Sequence, residues 1–334
     1  MSSSLIFITG ATGFIGGHVV AATLKAGHRV RLSVRREEQI QKLKTIFAAH
    51  ASQLDFIVIP DFRTAEAFVD AVIGVDYIIH VASPMVGKGV DFKKDYIAPA
   101  VQGTLSVLDA VKTSPTIKRV EIMSSLFALA PIGALSGQQT APLVLKEHSE
   151  NKLHVDPDMA VPEGVPGHGL MYQGSKILAH QATADWVAKN KPSFPVLTFH
   201  PSFVTGPSLS QTKPEEIDSI NHLVLETIRT GAVTIPPVFV DVRDVAHAMA
   251  EALSAPVPAF QEFILSGHAT TWSEVAELAQ KLYPTAGFKL KAPVQEPPAV
   301  TAVTKAADEI LGMKWKSLEE VIRGVVDVQL ALAA

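Results

Sequence analysis

One short segment, Gly10-Ala11-Thr12-Gly13-Phe14-Ile15-Gly16, constrains the chain more than any other because of what flanks it. An apolar, β-branched run from Leu5 to Thr9 precedes it and a helical pattern follows. A glycine string alone marks only a turn, but between a strand and a helix it is the fingerprint of a dinucleotide site. Gly10 permits the tight turn, Gly13 lets backbone approach a pyrophosphate, and Gly16 brings helix against strand while the helix N-terminus faces the anion.

The surrounding pattern agrees. Short apolar runs at Arg29 to Val34, Asp55 to Ile59, Tyr77 to Val81 and Arg119 to Met123 read as buried parallel strands, with helical stretches at Gly16 to Ala26, Glu38 to Ala48, Ala65 to Val72 and Tyr96 to Lys112 between them. This repetition predicts an α/β fold, a Rossmann-type doubly wound parallel sheet. After Ser124-Ser125 the chain is studded with proline and glycine as far as about Leu170, which reads as a long loop bordering a ligand. A helix from Tyr172 to Lys189 and a strand from Val196 to His200 follow. Beyond Gly206 the elements are shorter and mixed. The segments Val238 to Val242 and Asp244 to Leu253 are expected to return to the main sheet, and Thr271 with Glu274 and Ser317 with Glu320 form capping boxes. Residues 1–205 are therefore expected to form the dinucleotide-binding Rossmann domain, joined by 236–253, with 206–235 and 254–334 as a smaller C-terminal substrate-binding domain.

Composition narrows the function. Against 33 acidic residues stand 29 basic ones, a net charge of −4, and no run of like charge suggests a nucleic-acid partner. No cysteine is present, which removes disulfides, thiolate metal sites and a cysteine nucleophile. Among the histidines, His148, His154 and His168 fall in the loop at no ligand spacing, and His80, His180 and His247 sit in strand or helix patterns, so no metal is expected. The only apolar run near the start, Leu5 to Ile8, is far shorter than a span of about 20 residues. The expectation is a cytoplasmic protein, monomer or homodimer, with a small-molecule partner and no membrane.

Arg35 and Arg36 stand where an NAD enzyme usually places an acid on the ribose hydroxyls; guanidinium groups there favour the 2′-phosphate of NADPH. Tyr172 and Lys176 lie four residues apart on one helix face, where the ammonium is expected to pull the phenol below its usual value of about 10 and make it a general acid for a carbonyl oxygen. A hydroxyl of Ser124-Ser125 would bond the same oxygen. Asp241, Arg243 and Asp244 read as helix caps and structural pairs, and Met171 as packing.

Taken together, the fingerprint, His80-Val81-Ala82-Ser83-Pro84, Pro99 to Thr104, Ser124-Ser125, Tyr172 to Lys176, His200 to Pro207 and Val240 to Ala246 resemble the extended short-chain dehydrogenase/reductase superfamily in the expected order. The chain is most similar to its branch of dihydroflavonol 4-reductases, cinnamoyl-CoA reductases and NADPH-dependent carbonyl reductases of the yeast methylglyoxal reductase type; Trp315 to Glu320 shares the resemblance. It implies Ser125, Tyr172 and Lys176 as catalytic residues, with Tyr172 donating the proton and Lys176 also holding the nicotinamide ribose. Cofactor positions fall on Thr12, Phe14, Ile15, Arg35, Asp61, Phe62, Val81, Ala82, Ser83, Pro201 and Val204. Pocket positions fall on Met85, Leu126, Ala130, Leu170 and Phe203, an aliphatic and roomy set. Gln102 and His200 depart from the family pattern. The implied activity is NADPH-dependent reduction of an aldehyde or ketone. Its rivals are a nucleotide-sugar epimerase or dehydratase, which keeps NAD bound, and an NADP-sensing regulator on the same fold.

Overall fold

The structure, a computed structural model, describes residues 3–83, 87, 89–135, 141–149 and 153–333. Its elements in chain order are β1 (Leu5–Thr9), α1 (Phe14–Lys25), β2 (Arg29–Val34), α2 (Glu38–Ile46), β3 (Leu54–Val58), β4 (Tyr77–His80), α3 (Ala98–Val111), β5 (Arg119–Met123), β6 (Leu143–Leu145) and α4 (Val165–Asn190). There follow β7 (Val196–Pro201), β8 (Phe203–Thr205), α5 (Ser219–Thr230), β9 (Phe239–Asp241), α6 (Val242–Ala252), β10 (Phe260–Leu265), α7 (Trp272–Leu282), β11 (Val300–Ala302), α8 (Lys305–Ile310) and α9 (Leu318–Ala333).

Seven strands form one parallel sheet in the order β10-β7-β5-β4-β1-β2-β3. The order reverses between β1 and β4, which opens a crevice at their carboxyl ends. Alternation along the strands splits the core between the two faces. Ile6 and Ile8 pack with Val19, Val20, Val245 and Met249 of α1 and α6 on one face. Phe7, Ile78, Val120 and Ile122 pack with Val107, Val111 and Trp186 of α3 and α4 on the other. A further core joins α5, α7, α9 and the β8–β9 pair through Val224, Ile228, Trp272, Val275 and Ile322. Among the described residues no helix is long and apolar enough to cross a membrane.

Several expectations change. The segment expected as a helix from Ala65 to Val72 is only a 3₁₀ turn, Ala65–Phe68, and a π-helical turn, Phe92–Ile97, precedes α3. Phe239–Asp241 does not join the main sheet; it pairs with Phe203–Thr205, while α6 alone returns to pack on α1. Phe260–Leu265, expected in the smaller domain, is the edge strand beside β7. The supposed loop after Ser125 holds a 3₁₀ turn, Leu126–Leu129, and β6, which pairs with β11. Helix α4 begins at Val165, so Tyr172 lies within it instead of opening it. Pro166 hides that start in the sequence, yet proline is at home in a first turn, where its missing N–H costs no hydrogen bond.

Glu121, on the central strand β5, is fully buried, and neither carboxylate oxygen has a partner among the described residues. Burial pushes its carboxyl well above the ordinary range, and nearby Arg119 only partly opposes this. The folded state thus holds this proton to higher pH than the unfolded chain, so the group's contribution is fullest in acid and is lost as pH rises from the unfolded value through the raised one. Glu121→Gln is expected to raise the melting temperature at about pH 8 and to raise it less at about pH 5; a gain that is equal at both, or larger in acid, contradicts the assignment.

Candidate active site

The fingerprint turns at the crevice. Gly10 has φ +78°, and a Cβ there would stand 2.7 Å from the Ala82 nitrogen. A Cβ on Gly16 would lie 2.0 Å from the Gly10 carbonyl oxygen, so helix and turn meet only without a side chain. Gly13 differs: its Cβ would lie 3.3 Å from the same oxygen, a contact the protein nearly tolerates. No side chain caps α1, and its first turn, including Phe14 and Ile15, carries no acid. Thr12, Gly13, Phe14 and Gly17 line a hollow with Lys42, Leu43 and Ser208 to Ser210. An uncapped helix start of this kind, free of acidic side chains in its first turn, can receive an anion.

Along its rim, Arg35 and Arg36 part ways. Arg36 pairs with Glu38 at 3.0 Å, whereas the exposed Arg35 guanidinium makes no hydrogen bond or ion pair among the described residues. Asp61 is gripped by Arg63 at 2.6 Å, and that bond, with a smaller contribution from Arg35, holds its carboxyl below the usual range. Phe62 packs on Phe68 and His80. Val81, Ala82 and Ser83 leave β4 half-buried, the Ala82 N–H donating to Thr9 Oγ1 at 3.2 Å. Pro201, at the end of β7, and Val204, in β8, are buried.

Tyr172 and Lys176 face one another on α4, with the Lys176 nitrogen 5.6 Å from the centre of the Tyr172 ring. Lys176 is buried and forms no hydrogen bond among the described residues. Its burial lowers the ammonium to about 8, and burial raises the Tyr172 phenol to about 12. This reverses the expected lowering of the phenol. Desolvation penalises the phenolate and the ammonium alike, so the charge meant to stabilise the phenolate is itself weakened. Ser125, just beyond β5, is buried, and its Oγ accepts from the Phe127 N–H at 3.2 Å, which leaves its own proton to donate.

The remaining pocket positions Leu126, Ala130, Leu170 and Phe203 are buried, and Met85 lies outside the described residues. Phe127, which the sequence reading passed over, is the aromatic that joins them: its ring meets Tyr172 edge-on at 6.0 Å and Phe203 at 5.9 Å. Its place two residues after Ser125 was the available signal. Gln173 was also missed; it takes the Gly133 N–H and donates to the Ala130 and Pro131 carbonyls, tying α4 to the chain beyond Ser125. Asp241 caps α6 and pairs with Arg243 at 2.7 Å, and Asp244 accepts from the Lys316 N–H, as the capping reading has it.

His200 is braced by the Ser125 carbonyl at 3.1 Å and by Thr198 Oγ1 at 2.9 Å, and His180 by Glu262 at 2.9 Å. These three groups bring possible metal donors within 4.8 Å of one another, a juxtaposition that no sequence spacing announces. The His200 nitrogens and His180 Nε2 are already engaged with protein, so the cluster is a hydrogen-bond network as it stands.

Comparison with known proteins adds a family and several relatives. The profile of the NAD dependent epimerase/dehydratase family matches residues 6–263. A ketoreductase of Aspergillus fumigatus is 36% identical over 100% of this chain and 99% of its own length. A Candida albicans protein provisionally named an NADPH-dependent methylglyoxal reductase is 30% identical over 95% of this chain and 93% of its own. In structure, the chain is similar to yeast methylglyoxal/isovaleraldehyde reductase, solved with NADPH, at a TM-score of 0.83 and 24% identity, covering 98% of this chain and 99% of that one.

The two glycines separate packing from binding. Gly16→Ala is expected to destabilise the fold by about 1–3 kcal/mol through overpacking. Gly13→Ala should cost less than about 1 kcal/mol by that measure, yet weaken dinucleotide binding by about tenfold or more. Thermal melts and fluorescence titrations check both, and equal melting losses would refute the distinction.

Proposed function

The chain belongs to the NAD dependent epimerase/dehydratase family, and from that premise we propose that it is an NADPH-dependent carbonyl reductase with Tyr172 as its proton donor. The observation that carries this reading is the Tyr172–Lys176 pair on α4, close-set and buried enough to shift both groups. A phenol raised to about 12 keeps its proton at neutral pH until a developing alkoxide, a stronger base, takes it. The Ser125 hydroxyl hydrogen-bonds the same oxygen and orients the carbonyl.

The residues present fit the dinucleotide. The first turn of α1 receives the pyrophosphate beside Gly13, Arg35 takes the 2′-phosphate, Arg36 stays with Glu38, and Lys176 holds the nicotinamide ribose. When bound, the reduced nicotinamide supplies the hydride. An epimerase that retains NAD would be served by an acid at the end of β2, where this chain has Arg35. The lobe of α5, α7 and α9 covers the substrate, with Leu126, Phe127, Ala130, Leu170 and Phe203 as an apolar, partly aromatic wall. The ketoreductase relatives support this substrate class.

The direct test is consumption of NADPH with aldehydes, β-keto esters and aryl ketones, paired with detection of the alcohol; no turnover on any carbonyl sinks the reading. Arg35→Asp is expected to weaken NADPH by about 1.5–3 kcal/mol, the worth of a charge-assisted contact, and NADH little; equal losses would remove Arg35 from the site. Tyr172→Phe should bind NADPH as before while turnover falls by about 10²–10⁴-fold, and a variant that keeps more than about a tenth of the rate would mean another acid operates.

A further inference from the structure

Next to Tyr172 on α4 stands a buried amide. Gln173 is fully buried, and consecutive helix residues point about 100° apart, so the two side chains leave the helix in different directions. Tyr172 meets Phe127, whereas Gln173 reaches the chain from Ala130 to Gly133. Its Oε1 accepts the Gly133 N–H at 2.8 Å, and its Nε2 donates to the Ala130 carbonyl at 3.1 Å and the Pro131 carbonyl at 2.9 Å. Both N–H groups of the amide are thereby used, and a reversed amide would set its oxygen against two carbonyls. An apolar side chain would fill the same space without the cost of burying an amide, so what the glutamine adds is direction.

The segment so held continues directly from Ser125. That serine caps a single 3₁₀ turn, Leu126–Leu129, whose Ala128 N–H returns to the Ser125 carbonyl at 2.9 Å. Ala130 follows, fully buried, and the chain then turns: the Ala134 N–H donates to the Pro131 carbonyl at 3.0 Å, and Gly133 has φ +83°. Residues 130–135 belong to no strand or helix, so no ladder of backbone bonds fixes their distance from α4. The stretch is instead fastened at Ser125 on one side and at Gln173, one residue from Tyr172, on the other.

We propose that Gln173 is a positioning residue that decides which face of a prochiral ketone is reduced, by locking the wall from Ala130 to Gly133 to the helix that carries Tyr172; this rests on the carbonyl reductase reading. In that reading the carbonyl oxygen lies between the Tyr172 and Ser125 hydroxyls, and hydride arrives from the nicotinamide. With oxygen and hydride both fixed, the two faces are exchanged only by swapping the two carbon substituents. One of them lies against the wall and the other points away from it. A wall at a set distance from the proton donor tells a large substituent from a small one, whereas a wall free to shift accepts either. The chemistry is the same in both cases: hydride adds to the carbonyl carbon, the Tyr172 proton goes to the oxygen, and only the configuration of the alcohol differs.

The experiment measures the ratio of the two alcohol enantiomers formed by the full chain, with NADPH and the prochiral ketone it turns over fastest. This ratio compares two outcomes on the same folded molecules, so it is blind to how many of them are folded. Gln173→Met keeps the length of the side chain and loses all three bonds; Gln173→Glu keeps an acceptor for Gly133 and sets an oxygen against both carbonyls. Val187→Ala, farther along α4 in the core of the sheet, serves as a purely structural control. The unaltered protein is expected to favour one enantiomer, and both Gln173 variants to lower the ratio by about tenfold or more, with KM for NADPH within about twofold. Val187→Ala should melt earlier and leave the ratio unchanged. The proposal is overturned if the ratio stays within about twofold in both Gln173 variants while kcat falls on aldehydes and ketones alike, which marks a role in holding Tyr172 or the fold. It is equally overturned if Val187→Ala shifts the ratio as far, or if both Gln173 variants lose all turnover. Should Gln173→Met alone be inactive, Gln173→Glu decides by the same criterion. An unaltered protein that reduces no carbonyl overturns the carbonyl reductase reading as well, whereas an active one that gives equal amounts of both enantiomers overturns the role of Gln173 alone.

Discussion

The carbonyl oxygen of Gly10 stands 2.0 Å from where a Cβ of Gly16 would be, and much of the molecule follows from that closeness. It brings α1 directly off the end of β1 and aims the helix N-terminus into the crevice where strand order reverses between β1 and β4. The same turn presses Gly10 against the start of the Val81 to Ser83 segment, 2.7 Å from the Ala82 nitrogen to a hypothetical Cβ, so the two crevice walls are fixed relative to one another. At Gly13 a Cβ would meet the same oxygen at 3.3 Å, a far milder contact.

Against this frame α4 sets the chemistry. The helix crosses from the cluster of Phe92, Tyr96, Met171 and Ile177 to Trp186 and Val187 in the sheet's own core. Lys176 is thereby held under the crevice, where water is scarce. Desolvation then governs both members of the pair: it holds the proton on Tyr172 and loosens it from Lys176. An exposed pair at the same spacing would behave in the opposite sense. Behind the lysine, His180 is bonded to Glu262, and His200 is bonded to the Ser125 carbonyl.

Much of this was legible in the chain itself. The apolar runs at β1, β2 and β5 fell on the residues that pair in the sheet, because a strand covered on both faces is rich in apolar residues. The glycine spacing announced the turn, since only glycine tolerates that φ and that contact. Local chemistry also marked the caps at Thr271 and Ser317, whose partners lie three residues away. What depended on distant parts of the chain was hidden. The partner of Phe239–Asp241, the seat of Phe260–Leu265 at the sheet edge and the early start of α4 at Val165 each rest on packing against segments far off in sequence. The sequence by itself determined the fold class, the nucleotide turn and the identity of the Tyr172–Lys176 pair, because each is written in residue types at short, fixed spacing. Only the tertiary structure decided the direction of their pKa shifts and the union of His180 with Glu262, 82 residues apart, because burial and contact across α4 and β10 arise from how elements stack and leave no trace in the spacing of either.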